Sequence, residues 1–364
     1  MKSTKITAIF GTRPEAVKMC PLILELQKRD EIEIRTVVSG QHRELCREVL
    51  NFFGVVPDLD LNIMSHGQTL FDVTDKIFSG IHQELCEHTP DAVLVHGDTT
   101  TAFASALAAF YLGIKVGHVE AGLRSDDPYS PYPEEFNRRA IDAMSFCHFC
   151  PTEHARSRLL VEGIPPERIF VTGNTVVDAL GYTLAEPLER SESDEIQLLM
   201  TLHRRESRGA EMRAIMSAVR RAVQKYENLR VFFPAHPAKE VHDAINAELL
   251  GNPNVKIVEP LPLPEFHRSL AQSDLILSDS GGVQEEAVSL GKPLLLARET
   301  TERPEGILSG GIIPVGVDEE AVFSALCRLI ESKEERKRVR CAKNLFGDGR
   351  ASERIADILL LLFS

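Results

Sequence analysis

Leu275-Ile276-Leu277-Ser278-Asp279-Ser280-Gly281-Gly282-Val283-Gln284-Glu285-Glu286 joins a short apolar run to a two-glycine turn and then to an amphipathic segment. An apolar run of this length ended by a turn predicts a buried strand, and the segment beyond it a helix. The same order recurs along the chain. Strands are expected at Ile6–Phe10, Ile34–Val38, Ala92–His96, Lys115–Val119 and Cys147–Cys150, then at Gln197–Leu202, Arg230–Phe233, Val255–Val258, Leu275–Ser278 and Pro293–Ala297, with helices between them. Two successive series of this kind predict an α/β protein of two Rossmann-like domains facing a cleft, with ligand at the carboxyl ends of the strands. The charged, aperiodic stretch Glu186–Asp194 is expected to connect them.

Size and composition agree with this reading. At roughly 150 residues per domain, 364 residues make about two domains. Apolar residues are 43% and charged residues 26%, as in globular proteins, which excludes fibrous and disordered classes. A net charge of −13 repels a phosphate backbone, so no nucleic-acid partner is expected. The 7 cysteines are scattered without the spacing of a disulfide framework, and no signal peptide is evident, so a reduced, cytoplasmic protein is expected. The apolar tail Ile358–Phe363 is far short of the ~20 residues of a membrane span and is expected to dock as a helix.

In the opening stretch, Ser280, Gly281 and Gly282 sit where first-turn N–H groups and the positive end of the helix dipole favour an anion such as pyrophosphate. Glu286 follows, placed to accept from both hydroxyls of a ribose. The alternative is a glycine turn leading into a solvated acidic helix start. The first turn, Phe10-Gly11-Thr12-Arg13-Pro14-Glu15, has one glycine where a dinucleotide fingerprint has three, so NAD is not supported. Arg13 and Lys18 stand instead at a proline-led helix start, either facing the cleft or pairing with Glu15.

Asp98, after Ala92–His96, is placed to cap the next helix or to present a carboxylate at a strand end. Glu120 lies between Val119 and Ala121, where a carboxylate must find a partner or a shifted pKa. Tyr132-Pro133-Glu134-Glu135-Phe136-Asn137-Arg138-Arg139 adds acids and cations at a helix start, or is a charged surface helix. Thr201-Leu202-His203-Arg204-Arg205-Glu206 ends a strand with a titratable group and two anion binders. Cys147-His148-Phe149-Cys150 is half of a metal knuckle without two further ligands at matching spacing.

In this order the segments GTRPEAVKM (11–19), GQHREL (40–45), LVHGDTTT (94–101), GHVEAGLR (117–124), YPEEFNR (132–138), GNTVVDAL (173–180), HRRES (203–207), SDSGGVQEE (278–286) and TTERPE (300–305) resemble the non-hydrolysing UDP-N-acetylglucosamine 2-epimerases over nearly the whole chain. The resemblance implies a glycosyltransferase-B-type fold, with domains at 1–172 and 173–346 and a C-terminal helix at 347–364 returning to the first. It implies epimerisation of UDP-GlcNAc to UDP-ManNAc by anti elimination of UDP, through a 2-acetamidoglucal, for surface polysaccharide synthesis. Asp98, Glu120 and Glu134 are then the acid–base candidates, with His203 near the diphosphate. Arg13, Lys18, Ser280, Gly281 and Gly282 would hold the phosphates, Glu286 the ribose, the Leu261–Phe266 segment the uracil and Arg303 the sugar side, with Arg138 and His42 as further substrate contacts. Neither hydride carrier nor metal is implied, and a homodimer is expected.

Members activated by a second substrate molecule resemble one another at positions where this chain has Glu44, Gly67, Arg139 and His236-Pro237-Ala238-Lys239, so weak or absent activation by UDP-GlcNAc is expected. A hydrolysing epimerase or a glycosyltransferase would release UDP in proportion to turnover. A nucleotide-sugar sensor would bind without turnover.

Overall fold

The computed structural model describes residues 3–65, 67–187, 194–202 and 209–363. The chain forms two compact units, Met1–Ala179 with Phe346–Ser364, and Leu180–Leu345.

The first unit runs β1 (Thr4–Phe10), α1 (Arg13–Gln27), β2 (Ile32–Val38), α2 (Arg43–Phe53), β3 (Leu59–Asp60), α3 (Leu70–Glu87), β4 (Ala92–His96), α4 (Thr100–Tyr111), β5 (Lys115–Val119), α5 (Glu134–Met144), β6 (Cys147–Cys150), α6 (Glu153–Val161), β7 (Ile169–Val171) and α7 (Thr175–Thr183), the last passing into the second unit. Its strands form a parallel sheet in the order β3-β2-β1-β4-β5-β6-β7. β4 is buried along its whole length, as a strand covered on both faces must be. The order reverses between β1 and β4, so the turns after Phe10 and His96 flank the switch point where such sheets bind ligands.

The second unit continues with β8 (Ile196–Thr201), α8 (Ala210–Lys225), β9 (Leu229–Pro234), α9 (Lys239–Glu248), β10 (Val255–Val258), α10 (Leu263–Gln272), β11 (Leu275–Ser278), α11 (Gly281–Ser289), β12 (Leu294–Leu296), α12 (Pro304–Leu308), β13 (Ile312–Pro314), α13 (Glu319–Glu331) and α14 (Lys333–Arg340). Its parallel sheet has the order β10-β9-β8-β11-β12-β13, with the switch point between β8 and β11. Thr201 there pairs with Ser278, one residue before the Asp279-Ser280-Gly281 turn.

The closing helix α15 (Ala351–Phe363) packs on α1 of the first unit. Asp178 caps it, accepting from Ala351 N at 3.1 Å and Ser352 N at 2.7 Å. Asn174 N donates to Phe346 O at 2.7 Å. These bonds tie residues 173–179 to the first unit, which therefore runs past the expected limit at 172. The chain leaves it within α7 rather than through Glu186–Asp194, of which 188–193 lie outside the described residues.

Every expected run overlaps an observed strand. The three unforeseen ones, β3, β7 and β13, are two or three residues long and lie at sheet edges. Among the described residues, no helix is long and apolar enough to cross a membrane.

Candidate active site

In the first unit, the β1–α1 turn comes close enough to its neighbours that a Cβ on Gly11 would lie 1.9 Å from Ser39 Oγ and 2.6 Å from Thr101 Oγ1. Only glycine fits there. Thr12 and Glu15 then form a capping box: Glu15 N donates to Thr12 Oγ1, and Glu15 Oε2 accepts from Gly11 N at 3.0 Å and Thr12 N at 2.8 Å. Glu15 Oε1 also accepts from the Thr99 hydroxyl at 2.7 Å, which links this turn to the one after β4. Burial raises the Glu15 pKa to about 7 against the pull of those hydrogen bonds.

Thr99, not Asp98, is the N-cap of α4, accepting from Ala102 N at 3.0 Å. This corrects the capping reading of Asp98. Its carboxylate, a quarter exposed, faces Arg138 of α5, whose Nε lies 3.1 Å from Oδ2 and whose Nη2 contacts the same oxygen. Arg138 is aimed by buried Glu135, which accepts from its Nη1 at 2.8 Å. Asn137 Nδ2 donates to Asp98 O at 2.9 Å. Glu134, half-buried, is the first residue of α5, where the positive helix end favours its anion.

Glu120 is the most constrained of the three carboxylates. Its φ of +66° is a left-handed conformation that costs a non-glycine residue on the order of 1 kcal/mol and persists only where its surroundings hold it. Here Lys18 Nζ forms a buried ion pair with its carboxylate, and Asn174 Nδ2 donates to Oε2 at 2.6 Å. Lys18 therefore stands against Glu120, a place that differs from the expected phosphate contact. Arg13 is half-buried, and His42 is exposed at the N-cap of α2, where its N–H donates to Gly11 O at 2.9 Å.

In the second unit, Ser280 is the N-cap of α11 but its side chain makes no capping bond, so the first-turn N–H groups at Gly281 and Gly282 are not covered by it. A Cβ on Gly281 would meet Arg303 Nη1 at 3.1 Å. Arg303, expected at the sugar, is buried against this turn and committed to Glu285 Oε1 at 2.5 Å and Glu302 Oε2 at 3.5 Å. Glu286 Oε1 lies 3.5 Å from His267 Nε2, and His267 Nδ1 is 2.7 Å from Thr183 Oγ1. The other oxygen, Oε2, is buried with no hydrogen-bond partner among the described residues. Leu261 and Phe266 are half-buried around the start of α10.

A family model described as UDP-N-acetylglucosamine 2-epimerase matches residues 24–360. The chain belongs to the UDP-N-acetylglucosamine 2-epimerase family. It is 45% identical over 364 residues to the UDP-N-acetylglucosamine 2-epimerase of Bacillus subtilis (strain 168), covering 99% of this chain and 96% of that protein. The crystal structure of the UDP-GlcNAc 2-epimerase from Neisseria meningitidis bound to UDP-GlcNAc matches with a TM-score of 0.93 and 42% identity, covering 98% of this chain and 100% of that one. A glycosyltransferase structure, that of kitacinnamycin, shares the fold with a TM-score of 0.68 at 14% identity and full coverage of both chains. This chain thus shares a glycosyltransferase-type fold built of two Rossmann-like units.

Of the sequence-derived epimerase residues, the first unit brings Lys18 to Glu120 and Arg138 to Asp98, and the second groups Ser280, Gly281, Gly282 and Glu286 on one turn and helix. His203, with the rest of HRRES, lies outside the described residues. Sequence reasoning missed Asn174, Glu15, Glu285 and His96, which touch or flank the named groups. A buried carboxylate's need for donors was the available signal for Asn174, in the GNTVVDAL segment. In Cys147-His148-Phe149-Cys150 both imidazole nitrogens are taken, Nδ1 by Arg168 O at 3.1 Å and Nε2 by Asp142 O at 2.9 Å.

Proposed function

We propose that this enzyme reversibly epimerises carbon 2 of UDP-GlcNAc to give UDP-ManNAc without net hydrolysis. The carbon 2 proton passes to a carboxylate as the anomeric C–O bond breaks, leaving a 2-acetamidoglucal and UDP. UDP then re-adds at carbon 1 while an acid on the opposite face protonates carbon 2. The observation that carries this reading is Glu120, a buried carboxylate in a strained conformation, fixed by Lys18 and Asn174.

Asp98, Glu120 and Glu134 share the acid–base work, and His203 serves the leaving diphosphate. Negative charge grows on the UDP oxygens as the glycosidic bond weakens, so preorganised donors lower the barrier directly. Arg13 and the α11 N-terminus at Ser280, Gly281 and Gly282 supply them. Lys18 pairs with Glu120 and Arg138 with Asp98, which fixes where each carboxylate stands. Leu261 and Phe266 flank the uracil, and Arg303 braces the phosphate turn. The enzyme is assigned to the cytoplasm as a homodimer, which sedimentation equilibrium tests.

Proton NMR of UDP-GlcNAc with the enzyme in heavy water tests the reaction. Conversion to UDP-ManNAc with deuterium at carbon 2 and little free UDP is the expected result. UDP accumulating with turnover would indicate hydrolysis or transfer, and an unchanged spectrum despite binding a sensor.

The unpartnered Glu286 oxygen is reserved for the ribose. Glu286→Gln should raise KM for UDP-GlcNAc about tenfold, the loss of one charge-assisted hydrogen bond, with kcat nearly unchanged in steady-state assays. Activation by the second substrate molecule should be absent, in keeping with Arg139, which donates to Glu135 Oε1 at 2.8 Å on its own helix. UDP-ManNAc should therefore react without added UDP-GlcNAc, and the UDP-GlcNAc dependence should be hyperbolic.

A further inference from the structure

His96 ends β4, two residues before Asp98, and is only 3% exposed. Among the described residues neither ring nitrogen has a hydrogen-bond partner, although buried polar groups almost always find one. Its Nε2 lies 3.8 Å from Glu120 Oε2, outside hydrogen-bond range by less than an ångström of closure. Burial, the largest influence on the ring, pushes its pKa down to about 4. Of the groups that face it, Glu120 from the turn after β5 and Asp98 from the turn after β4 favour its cation, while Lys18 from α1 and His118 from β5 oppose it. The ring is therefore neutral near pH 7, with one N–H and one lone pair.

Ionised Glu120 is served by donors, Lys18 and Asn174. A protonated Glu120 needs the reverse, an acceptor for its O–H, and neither an ammonium nor an amide N–H is one. The lone pair of neutral His96 is such an acceptor, near the same oxygen. We propose that His96 is a positioning residue for Glu120, accepting the hydrogen bond of its O–H in the protonated half of the cycle and so setting how long the carboxyl keeps its proton. The inference rests on the acid–base assignment of Glu120. It also explains why a buried imidazole is kept where a hydrocarbon would pack at less cost.

The test compares His96→Leu, which fills the space without polar atoms, with His96→Gln, which keeps an acceptor carbonyl. Steady-state kinetics across pH and thermal melting are measured on both. His96→Leu should lose about 10- to 100-fold in kcat with KM little changed. Its kcat profile should move to lower pH, because a carboxyl deprived of its acceptor gives up its proton sooner, and its Tm should be no lower than the parent's. His96→Gln should recover about tenfold of that loss. If His96→Leu does not fold, His96→Asn, whose shorter amide falls short of Glu120, replaces it.

A parental kcat and pH profile in His96→Leu would overturn the proposal, as would a His96→Gln no better than His96→Leu. Glu120→Gln separates the two levels of the argument. If that variant keeps parental kcat, the acid–base assignment falls and His96 with it; if it is inactive beside a parental His96→Leu, only the His96 inference fails.

Discussion

Glu120→Gln should lower kcat for epimerisation by about 10²- to 10⁴-fold, the range for removing a positioned acid–base group. Gln matches Glu in size, and its carbonyl can still accept from Asn174 Nδ2, so the left-handed turn at residue 120 keeps that hydrogen bond. What is lost is the proton-carrying group and the counter-charge of buried Lys18. An ammonium that loses its counter-charge in a buried site is costly, so the variant should also melt earlier. The kinetic loss must therefore be read at a temperature where circular dichroism shows it folded. Replacing Lys18 by Met as well separates the two effects, because it removes the stranded charge without restoring a base. The double variant should regain Tm while kcat stays low. A folded Glu120→Gln with parental kcat would remove Glu120 from the mechanism and leave Asp98 and Glu134 as the carboxylates to test.

That Glu120 needs partners was legible because a carboxylate between Val119 and Ala121 at a strand end must be paired. How it is held was not legible. Lys18 lies on α1 and Asn174 just before α7, so their meeting with β5 is a product of sheet order, which short sequence patterns do not encode. Lys18 and Arg13 share a helix start and were read as a pair, yet they lie five residues apart on α1, and Lys18 is drawn to the buried carboxylate. Asp98 was read as a cap because Asp is a good one; Thr99 takes the cap and releases Asp98 to Arg138. In the second unit the two-glycine turn announced itself, but its support by Arg303 and Glu285 joins residues 18 positions apart. The strands inside each sheet were legible from their apolar runs, as was β10 at an edge. β3, β7 and β13 were not: each is two or three residues long and pairs with a single neighbour at a sheet edge.

Beside Asp98 lies a second charged cluster, and Asp142→Ala should destabilise the protein by about 3–5 kcal/mol, the cost of breaking a buried ion pair from one side. Asp142 Oδ1 is 2.6 Å from His118 Nδ1, and its Oδ2 is 2.8 Å from Arg124 Nη2, an ion pair off the angle of a hydrogen bond. His118 Nε2 is in turn 2.7 Å from Gly97 O, so the cluster reaches the backbone beside Asp98. Burial works against the Asp142 anion, but His118 and Arg124 outweigh it and hold its pKa below the ordinary carboxylate range. A group depressed on folding contributes stability that is fully present above its unfolded value of about 4 and is lost as pH falls from there through the folded value. The gap between parent and variant in urea unfolding should therefore be constant from about pH 8 to 5 and should close only below about pH 4. A gap under about 1 kcal/mol at neutral pH would show that Arg124 and His118 find other compensation when Asp142 is gone, Glu162 being the obvious source since it already meets Arg124 Nη2 at 2.6 Å.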